Sequence, residues 1–308
     1  MSKKLTVIIC TYNRSEMLAH CLGSLCGQTS GGAFDVLVVD NNSTDDTRQV
    51  VESFMPELPL RYVMEPEQGL SHARNRGLAE SRTGWVAYLD DDAKARPDWC
   101  AAILETIGKN DFEAFGGPYH AWHHFGPPPS WLPELYASYV PGQQYGPLEA
   151  DTFIPGGNCA MEKSAAARAG AFPANFGMAG NKCAYGEESA LFKRMAEQGG
   201  RLGYVPGMAI EHCVLPFKYS MRWWLKSFFS RGIYHQRMHI DASGAALLGS
   251  ALSGTAKACI KTLCALLGIK YKKNWKAVAA ESFIHPFFAA GRAYEAFFGP
   301  KESGKNKE

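Results

Sequence analysis

Three consecutive carboxylates, Asp90, Asp91 and Asp92, directly follow the apolar run Trp85–Leu89. An unpaired charge at the end of a buried strand is costly in free energy, so these side chains need compensation. The usual compensation is a divalent cation, and Mg²⁺ typically connects one or two carboxylates to the phosphates of a substrate. The alternative is an acidic turn whose three side chains all lie in water.

Polar residues also follow two earlier buried runs. Thr11 follows the β-branched run at residues 5–10, and Asp40 follows the run at residues 34–39. In parallel sheets flanked by helices, ligands bind beyond the carboxyl ends of the strands. Thr11, Asp40 and the aspartate triplet therefore predict one binding site at a sheet edge.

The elements that position these residues alternate between strand and helix. Strands are predicted at residues 5–10, 34–39, 60–64 and 85–89, and each is followed by a helix with apolar residues on one face. Ser15 and a capping box at residues 43–46 are predicted to start the first two helices, and Pro97 to lie in the first turn of the fourth. Four such alternations are typical of an α/β fold with a doubly wound, mostly parallel sheet.

Beyond this repeat the pattern is less regular. Residues 118–157 are rich in Pro, Gly and aromatics and predict a long ordered loop over the site. A strand at residues 153–161, a short helix ending near Gly170, a helix opened by Gly186, and two short strands at 202–205 and 208–212 follow. Composition turns basic, aromatic and helical after Pro216, which predicts two domains: residues 1–215, which contain the strand and helix repeat, and a helical region at 216–308.

Bulk composition restricts the class of protein. The chain has 308 residues, of which 46% are hydrophobic, enough for one large or two modest domains and inconsistent with general disorder. The apolar part of the start is too short for a signal peptide. Nine cysteines without a C-x-x-C motif predict buried free thiols in a reducing compartment.

Four motifs in order carry a family resemblance: residues 6–14 (TVIICTYNR), 38–45 (VVDNNSTD), 69–77 (GLSHARNRG) and 89–92 (LDDD). Together they resemble glycosyltransferase family 2 over roughly residues 5–215. The resemblance implies the GT-A fold, here with a C-terminal helical extension, and an inverting transfer of a sugar from a nucleotide-diphosphate donor to a hydroxyl acceptor, with UDP as the expected nucleotide. The alternative is a non-catalytic nucleotide-sugar-binding or scaffold protein with the same fold.

The resemblance also implies which residues bind the donor. Asp40 would accept a hydrogen bond from the base, with Thr11 and Tyr12 forming the other wall of the pocket; the alternative is that Asp40 caps the next helix. Arg74 would serve the diphosphate or the base pocket through its planar fork of donors, whereas Arg76 is interpreted as a solvated helix charge. The remaining positions assigned to the donor are Arg14, Asp90, Asp91 and Gly157.

A D-x-D pattern in an extended strand would place Asp90 and Asp92 on one side, with Asp91 on the other. By resemblance, Asp90, Asp92 and His212 are assigned to a divalent metal, Mn²⁺ or Mg²⁺, although a lone histidine is often structural. Three further histidines around Trp122, at positions 120, 123 and 124, suggest zinc, but we interpret them as part of an acceptor loop because no cysteine has zinc-site spacing.

Residues 186–191 (GEESAL) resemble the family's Gly-Glu-Asp pattern at a helix start, with Glu in place of the catalytic Asp. Glu188 is therefore the candidate catalytic base that removes the acceptor proton, and Glu187 is its competitor. The alternative is an acidic first helical turn favoured by the helix dipole.

Charge is unevenly distributed along the chain. The formal net charge is +2, yet residues 217–276 contain eleven Lys or Arg and one acid, Asp241. A basic helix over residues 247–268, with Lys257 and Lys261 on one stripe, is predicted to lie on an anionic membrane surface rather than to cross it. The alternative is that the helix packs on the catalytic domain or forms a homo-oligomer contact. Nucleic-acid binding is the third and least favoured interpretation, because no recognised binding module accompanies the charge. The location expected is the cytoplasmic face of the membrane, near a glycan or lipid-linked acceptor.

Overall fold

The computed structural model describes residues 4–30, 32–149, 152–174, 185–239, 243–269 and 274–299. Asp241, Lys270, Lys272 and Lys273 of the basic segment lie outside the described residues. The chain separates into two compact units: Met1–His124, Ala137–Lys182 and Gly186–Val214 form the first, and Phe125–Tyr136, Cys183–Tyr185 and Leu215–Glu308 form the second. The predicted division of function between residues 215 and 216 stays a prediction.

The first unit contains eleven described strands and six described helices. The strands are β1 Leu5–Thr11, β2 Phe34–Asp40, β3 Leu60–Met64, β4 Trp85–Leu89, β5 Ala93–Ala95, β6 Ala114–Gly116, β7 Tyr119–Trp122, β8 Gly146–Pro147, β9 Asn158–Glu162, β10 Leu202–Tyr204 and β11 Ile210–Cys213. The helices are α1 Ser15–Cys26, α2 Thr47–Phe54, α3 Leu70–Glu80, α4 Trp99–Lys109, α5 Lys163–Arg168 and α6 Glu187–Glu197.

Eight strands form the large sheet in the order β3-β2-β1-β4-β9-β6-β10-β8. The first four are mutually parallel, and β9 runs antiparallel to both β4 and β6. A second sheet has the order β5-β11-β7. The predicted α/β fold with a mostly parallel sheet is confirmed, and its four strand and helix alternations are those between β1 and α4.

The core lies on both faces of the large sheet because successive residues of a buried strand point to opposite sides. Val7 and Ile9 belong to a buried cluster with α1, α2 and α4, whereas Ile8 belongs to another with α3, α5 and α6. The continuous apolar sequence of β1 reflects this burial on both faces.

The predicted helix starts are wrong in detail. Ser15 is itself helical, and its backbone N–H donates to the Asp45 carboxylate at 2.9 Å. Asp46, the last residue of the box, makes no side-chain cap; α2 begins after it, and Asp45 instead accepts from the first backbone N–H of α2 at 3.2 Å. Pro97 lies two residues before α4. One aspartate thus serves the starts of two helices, a tertiary contact that local sequence does not encode.

The predicted long loop at residues 118–157 contains two strands. Within it, β7 pairs with β11 in the second sheet, and β8 pairs with β10. Tyr119 and Tyr139 exchange backbone hydrogen bonds of 3.0 and 2.8 Å. The strand predicted from residue 153 begins at Asn158 instead, and the short strands β5 and β6 were not predicted.

The second unit is helical, with α7 Met221–Met238, α8 Gly244–Leu266, α9 Trp275–Ser282 and α10 Ile284–Phe298 after a 3₁₀ turn at Pro216–Tyr219. The Trp224 indole donates to the Ala280 carbonyl at 3.0 Å, and Leu132 packs beside them. Helices α7 and α10 cross at Gly232 and Gly291, where a Cβ on either glycine would overlap backbone atoms of the other helix. None of the described helices is both long and apolar enough to span a bilayer.

Candidate active site

The carboxyl ends of β1 and β2 lie side by side. Thr11 is the register partner of Asp40, and both side chains are buried. The Asp40 carboxylate accepts hydrogen bonds from the Ser43 backbone N–H and the Tyr62 hydroxyl, both at 2.8 Å. Burial and this hydrogen bond to Asp40 raise the pKa of Tyr62 to about 12, so the phenol remains a donor. Asp40 closes the turn before α2 rather than capping that helix, while the Tyr12 side chain next to Thr11 is exposed.

Asn41, one of the residues expected to cap the next helix, instead fixes the loop beside this carboxylate. Its amide nitrogen donates to the carbonyls of Glu65 and Glu67 at 3.0 and 2.7 Å, and its amide oxygen accepts from the Gly69 N–H at 2.8 Å. All three bonds run from the end of β2 to the loop before α3. The only sequence signal was its place directly after Asp40.

Asp91 and Asp92 are buried and share one cation. The Arg14 guanidinium lies 2.9 Å from the Asp91 carboxylate and 3.2 Å from that of Asp92. Burial raises the pKa of Asp91 to about 6, and the positive charge of Arg14 opposes this effect. The backbone turns at these two residues instead of continuing extended from β4, so both side chains reach the same arginine.

Asp90 has different neighbours. Its carboxylate lies 3.6 Å from the guanidinium of Arg74, and its side chain is partly exposed. A Cβ on Gly157 would overlap this carboxylate, and a Cβ on Gly156 would lie 2.8 Å from the Arg74 guanidinium. The two glycines therefore leave the space that Asp90 and Arg74 occupy.

Arg74 is a buried cation held on several sides. Its guanidinium donates to the Glu187 carboxylate at 2.6 Å and lies 5.4 Å from the centre of the Phe172 ring. Asn75 fixes Phe172 through two backbone hydrogen bonds of 2.8 and 2.9 Å, and the Tyr88 hydroxyl donates to the Arg74 carbonyl at 2.9 Å. Asn75 and Phe172 were not predicted, and Phe172 is separated from Asn75 by 97 residues, so no local signal pointed to it.

The two glutamates at the start of α6 have different environments. Glu187 is buried and bound to Arg74, whereas Glu188 is half-buried and forms no ion pair with a described residue. Burial and the adjacent Glu187 charge raise the pKa of Glu188 to about 8. A carboxyl with its pKa near the working pH is suited to exchanging a proton with a substrate.

Asp90, Asp92 and His212 offer ligand atoms that all lie within 4.8 Å of one another. The His212 Nε2 is 3.2 Å from the Asp92 carboxylate, and its buried Nδ1 has no hydrogen-bond partner. Two carboxylates and one imidazole are a donor set that suits Mn²⁺, and the carboxylates also suit Mg²⁺. The three residues therefore fit a divalent ion, and the structure brings all of them together.

The histidines around Trp122 are arranged differently from the sequence pattern. His124 groups with Glu16 and His20 of α1, and all three side chains are largely in solvent. The His20 and His124 rings pack on Trp122, with centroid distances of 5.3 and 4.7 Å. The cluster of His120, His123 and His124 that suggested zinc is not formed among the described residues.

Asn158 holds the strand opposite Asp90 in place. Its amide nitrogen donates to the carbonyls of Pro118 and Met208 at 3.0 and 2.8 Å, and its amide oxygen accepts from the Trp99 indole at 2.8 Å. The side chain is fully buried and all its polar groups are paired. Asn158 thus connects β9 to the segments before β7 and β11.

The chain is similar in sequence to known proteins. The sequence profile named Glycosyl transferase family 2 matches residues 6–169. The succinoglycan biosynthesis protein ExoM of Rhizobium meliloti is 31% identical over 237 residues, which cover 75% of this chain and 73% of ExoM. The chondroitin synthase of Escherichia coli is 27% identical over 246 residues, which cover 70% of this chain but 35% of the synthase.

A solved structure shares the fold. The mannosyltransferase PcManGT from Pyrobaculum calidifontis, in complex with GDP-Man and Mn²⁺, superposes with a TM-score of 0.64 at 18% identity, covering 97% of this chain and 88% of that chain. This likeness confirms the predicted GT-A architecture.

Proposed function

The chain belongs to glycosyltransferase family 2, and from this premise we propose that it moves a sugar from a nucleoside diphosphate to an acceptor hydroxyl with inversion. The observation that carries the proposal is the connected set of charges at the sheet edge. Buried Arg74 contacts both Asp90, one of the three candidate metal ligands, and Glu187, next to the candidate base. A cation flanked by two acidic groups supports a reaction in which a diphosphate leaves beside Arg74 and a hydroxyl attacks beside the glutamates.

The donor nucleotide is proposed to be UDP. The fixed Asp40 carboxylate is an acceptor for the imide N–H of uracil, with Thr11 and Tyr12 beside it. Arg14 and Asp91 lie next to the metal ligands, where they would contact the diphosphate and the ribose. Gly157 would serve the donor site through Asp90, whose carboxylate occupies the space that a side chain at position 157 would fill.

Asp90, Asp92 and His212 would hold a Mn²⁺ or Mg²⁺ ion. When bound, such an ion neutralises charge on the departing nucleoside diphosphate. Arg14 and Arg74 add positive charge next to these ligands, and the absence of side chains at Gly156 and Gly157 leaves the space that Arg74 and the Asp90 carboxylate occupy.

Glu188 is proposed as the catalytic base. The acceptor oxygen forms a bond to the anomeric carbon as the bond from that carbon to the donor phosphate breaks. The acceptor proton passes to the Glu188 carboxylate, and the electron pair leaves with the nucleoside diphosphate. Glu187 is hydrogen-bonded to Arg74 and so orients the start of α6. The Glu187 carboxylate is therefore not available to accept the proton, whereas the Glu188 carboxylate is.

The acceptor is proposed to be a growing polysaccharide or glycolipid at the cytoplasmic face of a membrane. Relatives named for succinoglycan biosynthesis and chondroitin synthesis support a polysaccharide acceptor. The basic segment at residues 217–276 supports an anionic surface nearby.

The test uses the full chain with UDP-, GDP- and dTDP-sugars, with and without Mn²⁺, and measures release of nucleoside diphosphate and transfer. Glu188→Gln should lower transfer by roughly 10²–10⁴-fold at unchanged donor affinity, the usual range for general base catalysis. Asp92→Ala should weaken metal-dependent donor binding instead. If no donor binds and none is consumed with any divalent metal, the proposal fails; if Glu187→Gln is the inactive variant and Glu188→Gln is active, the base is Glu187.

A further inference from the structure

Helix α8 turns an apolar face away from its own unit. Its exposed large side chains include Leu252 at 65% and Ile260 at 63% of full exposure. Cys259 is also exposed. The other exposed apolar side chains of this helix and its end are Leu248, Leu263, Leu266, Leu267 and Ile269.

The opposite side of α8 explains this orientation. Its buried positions are mostly alanines, at 251, 258 and 265, together with Leu247. A Cβ on Gly254 would lie 3.2 Å from Pro286 at the start of α10, so the two helices approach closely there. The small residues therefore pack inward, and the leucines lie outward.

Helical geometry places the outward residues on one continuous strip. Positions 248, 252, 259, 263 and 266 differ by steps of three, four or seven residues, which repeat one face of an α-helix. We call this strip, Leu248, Leu252, Cys259, Leu263 and Leu266, the α8 face. Helix α8 has 23 residues and is about 34 Å long at 1.5 Å per residue. The α8 face extends along most of that length.

Positive charge lies on the side of α8 roughly opposite the α8 face. Lys257 and Lys261 are exposed there, and neither side chain has a hydrogen bond or ion pair within the described part of the chain. The described residues between 217 and 276 include no Asp or Glu. A second copy of the same surface would bring like charges together, whereas anionic headgroups would complement them.

Aromatic side chains extend the apolar surface at one end. A Cβ on Gly244, the first residue of α8, would lie 2.9 Å from the Phe297 ring. Phe297 and Phe298 are themselves 50% and 73% exposed. Soluble surfaces rarely leave a contiguous apolar patch of this kind without a partner.

From these observations we propose that α8 is an interfacial helix whose α8 face enters the headgroup region of an anionic bilayer, and that Lys257 and Lys261, on its outer side, add electrostatic attraction to the lipid phosphates. The helix lies in the plane of the surface, since none of the described helices is able to span it. This inference rests on the proposed function only in naming a membrane as the place of the acceptor.

The native cysteines supply the first test. Cys259 is on the α8 face, and Cys26, at the end of α1 in the first unit, is an exposed internal reference. The labelling rate of each with a charged, water-soluble maleimide is measured by peptide mass, without vesicles and with phosphatidylglycerol or phosphatidylcholine vesicles. At low salt the phosphatidylglycerol vesicles should lower the labelling rate of Cys259 by about tenfold or more and leave the labelling rate of Cys26 unchanged. An unchanged rate at Cys259 would overturn the proposal, as would protection that depends on protein concentration and needs no vesicles.

A charge-matched pair of variants gives the second test. Leu252→Glu puts an acid on the α8 face, and Ser253→Glu puts the same acid on the next residue, outside the face. Sedimentation with phosphatidylglycerol vesicles should fall at least about tenfold for Leu252→Glu and much less for Ser253→Glu. Equal losses would show a purely electrostatic contact and refute insertion. Both variants should bind nucleotide sugar as well as the parent does. If the parent chain itself binds no nucleotide sugar, the proposed function fails, but the inference about α8 does not.

Discussion

Arg14 provides part of the compensation that the aspartate triplet requires. A divalent metal was predicted from the three adjacent carboxylates, but two of them, Asp91 and Asp92, already contact this arginine. The same Asp92 also lies 3.2 Å from His212, so its two oxygens face two different neighbours. Arg14 and a bound cation would therefore act on the same carboxylate from opposite sides.

Replacing Arg14 by Gln should make the protein more dependent on metal. Without the arginine, two buried carboxylates lose their cation, so the melting temperature measured without metal should fall. The fall is reduced because Arg14 is partly exposed and water screens its charge. Mn²⁺ should then raise the melting temperature of Arg14→Gln more than that of the parent. Thermal unfolding with and without Mn²⁺ measures both, and Arg48→Gln, at an exposed pair with Glu52, is the control. Equal Mn²⁺ shifts in all three proteins would contradict the expectation.

The raised pKa of Glu188 predicts a pH dependence with a definite sign. The base must be ionised to act, so kcat/KM should rise with pH through the pKa of about 8. Glu187→Gln removes the adjacent negative charge, which should move this rise to lower pH. A pH–rate profile of parent and variant tests the shift; a rise that stays in place would mean that Glu187 does not act on this group.

The same carboxyl should affect stability. Its pKa is higher in the folded protein, so its contribution is fully present below the ordinary value of 4.5 and is lost as pH rises through about 8. Glu188→Gln removes this loss. The difference in melting temperature between Glu188→Gln and the parent should therefore grow in favour of the variant as the pH rises from 4.5 to about 8. Thermal unfolding measures this difference without any substrate.

At the scale of elements, the turn between β8 and β9 sets the geometry of Asp90. Gly157→Ala should displace the Asp90 carboxylate, because the new Cβ would occupy its position. The affinity for the donor in the presence of metal should fall by about tenfold or more, because the Asp90 carboxylate is displaced from its position as a candidate metal ligand. Gly84→Ala is the matched control, since a Cβ there meets nothing within 4 Å. Titration calorimetry with donor and Mn²⁺ separates them, and equal affinities would contradict this view of the turn.

Asn158 should matter for stability rather than for donor recognition. Asn158→Ala leaves two buried carbonyls and the Trp99 indole without this partner, and each unsatisfied group costs about 1–3 kcal/mol. We expect the free energy of unfolding to fall by about 3 kcal/mol or more in urea titration. Asn75→Ala, which frees Phe172 beside Arg74, should by contrast reduce activity as well. A neutral Asn158→Ala would show that water replaces its hydrogen bonds.

The sequence predicted the longer apolar strands and missed several short strands that depend on distant partners. Strands β1, β2 and β4 are apolar enough on both faces for the pattern to identify them, and β3, which is only partly buried, has apolar residues at four of its five positions. Strands β5 to β8 have two to four residues each, and their pairing comes from residues that are remote in sequence. In the site, motif positions such as Asp40 and Arg74 were identified, but the contact of Arg74 with Glu187 spans 113 residues and has no local signal.

At the scale of the whole molecule, the helical unit is more than a tail. Residues 125–136, in the stretch predicted to be a loop over the site, belong to the second compact unit. There Leu132 packs beside Trp224, and the Tyr136 hydroxyl donates to the Lys218 carbonyl at 2.9 Å. A chain cut after Leu215 would leave these side chains without their partners. Substitutions in the full chain are therefore the cleaner way to examine the basic helices.

The crossing of α7 and α10 should also be visible in the evolutionary record. Gly232 and Gly291 each occupy a place where any larger side chain would meet the backbone of the other helix. A substitution at one site moves the helices apart and relaxes the demand at the other, so changes at the two positions should be inherited together. In an alignment of relatives that share this helical unit, we expect positions 232 and 291 to covary, with glycine lost at both or at neither. Independent drift at the two sites would mean that lineages tolerate a wider helix separation than this crossing allows.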